Sequence, residues 1–119
     1  FTVTGGRVLV TSIVGQVTTV LGATATNASL VANPTTGTDV ALCAVLAVAS
    51  KEAGTLFGIT GLFSDALVGA NAGATVLPRN PVVLNVGTLD LLTSASNTGS
   101  VKWSITYIPL DDGASVVAA

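Results

Sequence analysis

The chain has 119 residues, of which 50% are hydrophobic and only 8% charged, with a net charge of −2 and no histidine. This length suits one ordinary domain, and an apolar, charge-poor composition excludes intrinsic disorder, which needs the opposite balance. Four basic residues, Arg7, Lys51, Arg79 and Lys102, cannot neutralise a nucleic-acid backbone; soluble domains average about 25% charged residues, so part of the surface is expected to be covered.

The elements read as short strands and turns. Gly5-Gly6 is a turn, and residues 7–14 and 16–21 form strands separated by Gly15. Residues 28–32 form a short strand that Asn33-Pro34 ends, and residues 35–39 form a loop. Residues 40–49 are apolar almost without interruption, as in a strand buried on both faces. A helix is the competing reading there, but Val40, Val45 and Val48 are β-branched and the run is short. A bilayer span needs about 20 apolar residues, and Ser50, Lys51 and Glu52 end this run well before that. No membrane span is therefore expected.

Residues 51–54 turn into a strand over 55–60, residues 69–73 form a small-residue loop around Asn71, and residues 77–81 form a rigid turn. Pro81 opens a long apolar stretch, residues 82–92, which Gly87 divides into two strands or bends with a bulge. The clearest strand covers residues 100–108, where Val101, Trp103, Ile105 and Tyr107 alternate with Lys102, Ser104 and Thr106. These four apolar side chains are the expected core anchors. A hairpin is predicted between residues 88–94 and 100–108, through a loop at Ser96 to Gly99. The apolar tail containing Val116 and Val117 is a candidate interface that pairs with a sheet edge, in this subunit or a neighbour. The sum is a single all-β domain over residues 1–119, an antiparallel β-sandwich or β-barrel of roughly eight to ten short strands.

Candidates for chemistry are few. The lone Cys43 excludes an intramolecular disulfide and sits in an apolar run with no histidine to activate it. The acids Asp39, Glu52, Asp65, Asp90, Asp111 and Asp112 fall mostly in predicted turns. Asp111-Asp112-Gly113 is the densest cluster, but it lacks the spacing of a calcium loop. No phosphate loop or nucleophile motif occurs. Asn27-Ala28-Ser29 matches a glycosylation sequon, though no secretory leader pattern follows Phe1. The chain has no Met, which predicts an initiator lost by processing or with an N-terminal arm. The expectation is a non-enzymatic building block without cofactor or metal.

Three stretches carry a resemblance: residues 1–10 with Ile13 to Val20, then Gly87-Thr88-Leu89-Asp90-Leu91, then residues 101–114. Together they resemble small virion structural proteins of tailed bacteriophages, of the capsid decoration (cement) kind. That resemblance implies a homo-oligomer, of three copies, seated on the capsid surface of the virion with the major capsid protein as partner. A receptor- or glycan-binding β-domain and a neck or tail component are the alternatives.

Overall fold

A computed structural model describes residues 1–119 and contains ten strands and no helix. In chain order these are β1 (Thr2–Thr4), β2 (Val8–Thr19), β3 (Asn27–Pro34), β4 (Val40–Ala41), β5 (Leu46–Ala47), β6 (Leu56–Phe57), β7 (Val82–Leu84), β8 (Gly87–Thr93), β9 (Ser100–Pro109) and β10 (Ser115–Val117). They make two antiparallel sheets packed as a sandwich. The six-stranded sheet runs β10-β1-β8-β3-β4, with β5 also on β3, and the four-stranded sheet is built on β2. Val8 to Val10 pair with both β7 and β9, so these two flank β2 on opposite sides. The strand pattern read from the sequence therefore resolves to a sandwich rather than a closed barrel.

The β2–β9 ladder is the spine of the smaller sheet. On β2 the side chains of Val8, Val10, Ile13 and Val17 are buried, as is Gly15. The spacing jumps between Val10 and Ile13 because the register shifts between Val10 and Ser12. Thr11 and Ser12 both meet Thr106 of β9, each sharing a hydroxyl hydrogen bond with it. One extra residue on β2 thus restores the inward phase after the shift, as a β-bulge does. A second shift lies between Val17 and Thr19, where Thr18 reaches the Ser100 hydroxyl at 2.6 Å.

Seventeen apolar residues form one core between the sheets, among them Val3, Ile13, Leu30, Phe57, Leu67 and Leu89. None of the charged residues is buried. Most sit in turns and loops, while Asp90 on β8 and Lys102 on β9 point to solvent from strands.

Four sequence-based expectations need correction. Gly15 does not separate two strands: β2 is continuous through it, because Trp103 of β9 covers the glycine from the paired position. The stretch 40–49 is not one buried strand. It is two two-residue strands, with Val40, Ala41, Ala44, Val45 and Ala47 exposed and Leu42, Cys43 and Val48 buried. The chain leaves the β3 ladder at Ala44, whose N–H donates to Asp65 O and whose carbonyl accepts from Leu67 N. Next, strand 55–60 is shorter than expected, with only Leu56–Phe57 paired as β6 and Gly58 forming an isolated bridge to Val68.

The fourth correction concerns the hairpin. β8 pairs with β3 and β1, and β9 pairs with β2, so the loop after β8 crosses from one sheet to the other. Gly87 does divide 82–92 into two strands, and they lie in different sheets. Gly87 has φ 150°, and a Cβ there would fall 2.3 Å from Asn33 O. The crossing thus needs a residue without a side chain. The tail pairs within its own subunit: Val116 lies opposite Val3, and Val117 lies opposite Thr2.

Candidate functional site

The reactive inventory does not converge. No three of the Cys, Asp and Glu side chains come together as a metal site. Asp65 accepts from the Thr60 hydroxyl at 2.7 Å and Asp90 accepts from the Thr88 hydroxyl at 2.8 Å, which are local turn and strand contacts. Asp111 is engaged by Arg7. The guanidinium donates to both carboxylate oxygens at 3.0 and 2.8 Å, and the Arg7 backbone N–H adds a third bond at 2.8 Å. These bonds hold the Asp111 carboxyl well below the usual carboxylate range and raise the Arg7 guanidinium. Together they tie the start of β2 to the turn after β9.

Cys43 is buried and its thiol is pushed up by desolvation. Its Sγ accepts a hydrogen bond from Leu30 N at 3.3 Å, so it serves as a core residue that also satisfies a backbone donor.

The expected core anchors share the inner face of β9. Val101, Trp103, Ile105 and Tyr107 are half-buried and pack against the core rather than inside it. Trp103 lies against Phe57, with ring centroids 6.3 Å apart and planes inclined by 24°. A Cβ on Gly15 would sit 2.8 Å from its indole carbons. The indole Nε1 is shielded from solvent and has no hydrogen-bond partner.

Two clefts open on either side of this residue, between the margins of β8 and β9. One, of about 430 Å³, is lined by Leu21, Phe57, Leu91, Asn97, Val101 and Trp103 among others. The other, of about 380 Å³, is lined by Phe1, Leu89, Leu91, Trp103 and the terminal Ala118 and Ala119. Leu91 and Trp103 belong to both, so the clefts form one mostly apolar side of the sandwich.

A different apolar feature lies on the outward face of the β2 sheet. Leu9 is opposite Val83 on one side and Ile108 on the other, and Val83 and Ile108 are each about half exposed, at 53% and 52%. Phe63 and Val40, both exposed, continue from Val83 around a hollow of about 190 Å³. Of the candidate interface residues, Val116 is half-buried against the core and Val117 is 52% exposed.

One residue expected only as turn material is Asn97. Its amide donates to Gly22 O at 3.0 Å, to Thr24 O at 3.2 Å and to the Thr26 hydroxyl at 3.2 Å. It fastens the loop between β8 and β9 to the loop between β2 and β3. Nothing in a lone Asn-Thr-Gly predicts partners some seventy residues away.

No helix of the chain is long and apolar enough to cross a membrane. The chain matches no family model, no curated protein and no solved structure.

Proposed function

We propose that the chain is a virion structural protein, a capsid decoration domain that acts by burying apolar surface against copies of itself and against a protein shell. The observation that carries this reading is the outward apolar row Val83–Leu9–Ile108, exposed at Val83 and Ile108 and half-buried at Leu9, with neighbouring exposed Phe63 and Val40. Its side chains lie on a face whose only charged strand residue is Lys102. Apolar surface of this kind gains about 25 cal/mol per Å² when removed from water, and patches of it mark interaction sites. The sequence resemblance supplies the shell and the count of three copies. Asp65, Asp90 and Asp111 are held in three separate contacts and Cys43 lies in the core away from all of them, which suits a load-carrying role better than a reaction.

Capsids of the parent virus, stripped of the protein and rebuilt with it, test this directly. The expected result is co-sedimentation with assembled shells and survival to higher temperature than bare shells. No binding to shells at saturating concentration overturns the reading. Threefold particles favour the head, and sixfold rings favour the neck or tail.

A receptor- or glycan-binding domain is the second reading, favoured by the unpartnered Trp103 Nε1 between two clefts. It requires that glycans shift Trp103 fluorescence in the folded protein.

A further inference from the structure

The sandwich has one long free edge. The six-stranded sheet ends in β10, of three residues, and in β4 and β5, of two each. In the smaller sheet, β6 and β7 have two and three residues. Edges that short cannot template a foreign strand, and shortness is one of the ways proteins guard their margins. β9 is different: it has ten residues, it pairs with β2 alone, and no strand lies on its other side.

The polar groups along that edge can be assigned. Leu110 N donates to Arg7 O at 3.0 Å, and Ser100 O accepts from the Thr18 hydroxyl at 3.4 Å. Both register shifts are taken up by extra residues on β2, so β9 itself runs without interruption. Its even-numbered residues therefore turn their N–H and C=O groups toward β2. Those of Val101, Trp103, Ile105 and Tyr107 turn outward, because the two sets alternate along an antiparallel strand.

The usual guards are thin here. Lys102 is the single charge on β9, and Pro109 blocks only its end. Of the half-exposed inner side chains of the same strand, Val101 borders one apolar cleft and Trp103 borders both.

We infer that β9 is a pairing edge for a second copy of this chain, joined antiparallel across a twofold axis at Ser104. A second copy is the fitting occupant because no other edge of this chain is long enough to match ten residues, whereas β9 matches itself. The register centred on Ser104 opposes residues 100–108 in full and leaves Pro109 outside the ladder, opposite Gly99. In that register Trp103 lies beside Ile105 of the partner subunit and Val101 beside Tyr107 of the partner subunit. These are the aromatic and β-branched combinations that stabilise cross-strand neighbours. On the outer face Lys102 meets Thr106 of the partner subunit, so the one cation never opposes itself. The twofold contact makes dimers, or joins two threefold rings into six. It deepens, and rests on, the reading of the chain as a self-associating building block.

The test is native mass spectrometry, with sedimentation at up to about 100 µM, a range that suits an interface at the small end of stable sizes. Ser104→Lys and Ser104→Glu are compared alone and mixed, since Ser104 is exposed and opposite Val14 within the subunit. The unaltered chain is expected as an even-numbered assembly. Each variant should associate about fivefold more weakly at low salt, the upper range for like charges set opposite each other, and the mixture should recover. Circular dichroism and melting of the variants, unchanged from the parent, establish that the subunit still folds. An odd-numbered assembly, or an even one indifferent to both variants, overturns the β9 pairing while leaving the building-block reading intact. A chain that stays monomeric over the whole range overturns both the pairing and self-association, and shell binding is then decided by co-sedimentation alone.

Discussion

The β2–β9 ladder and the segment between residues 40 and 81 reach the same core by opposite means. The ladder joins a twelve-residue strand to a ten-residue one, with inward apolar side chains and outward hydroxyls. The segment contains only two-residue strands and isolated bridges. Its order comes from single anchors: Leu42, Cys43, Val48, Phe57, Ile59 and Leu67 inside, and side chains that replace missing ladder bonds. Asn71 Oδ1, for example, accepts from Glu52 N at 3.3 Å. Regular pairing spreads stability along a strand, while point anchoring concentrates it in a few residues and leaves the intervening backbone easier to open.

Truncating the ladder's aromatic should do most damage. Trp103→Ala removes the cover over Gly15 and the contact with Phe57, and a loss of about 3 kcal/mol is expected in urea unfolding, the lower end for a large aromatic. A loss under about 1 kcal/mol would show that the ladder does not depend on this side chain. The converse change, Gly15→Val, overfills the same place and should cost about 2 kcal/mol. Combining it with Trp103→Ala should recover part of that loss, because the two act on one site.

In the point-anchored segment, Cys43→Ala should cost about 1 kcal/mol, for a smaller buried side chain and the lost acceptor of Leu30 N. Thiol labelling of the unaltered protein sharpens the contrast. Cys43 should react through local opening, well before amide exchange of β2 and β9 reports global unfolding. Equal opening energies for the two regions would erase the distinction.

The smallest effect is at the Arg7–Asp111 clamp, whose side chains are 57% and 37% exposed. The folded state lowers the Asp111 pKa, so its contribution is full above the unfolded value of about 3.9 and declines as pH falls toward the folded value. Asp111→Asn should lower the melting temperature slightly at pH 7, less than any variant above because the pair is solvent-exposed, and the gap to the parent should close as pH falls below about 3.9.

The same contrast sets how much could be read from the sequence. Alternation made β9 legible, along with its inward side chains, because period two is a direct imprint of a pleated surface. Gly87 was legible as an interruption, and so was the pairing of the Val116-Val117 tail. Gly15 was misread because a strand glycine looks like a break until the covering side chain is known, and Trp103 lies 88 positions further on. The run 40–49 misled for a related reason: its residues are uniformly apolar, yet half of them face outward. Composition gave no phase there, and the ladder switch at Ala44 depends on Asp65 and Leu67. The apolar row on the outer face was legible only as a shortage of charge. Its location required the register of β2 against β7 and β9.

The β2–β9 pairing also has a consequence in time. Thr11 and Thr106 bond across 95 positions of sequence, and Thr2 pairs with Val117 at the far end of the chain. A ribosome adding about 5–20 residues per second needs roughly 5 to 20 s to make that interval. Throughout it, β2, the longest strand of the molecule, waits without its main partner. Closure of so distant a contact places folding in the slow, millisecond-to-second class of all-β chains. The nascent chain is therefore most vulnerable to aggregation between synthesis of Thr19 and synthesis of Pro109, and rapid or crowded expression should expose that interval first.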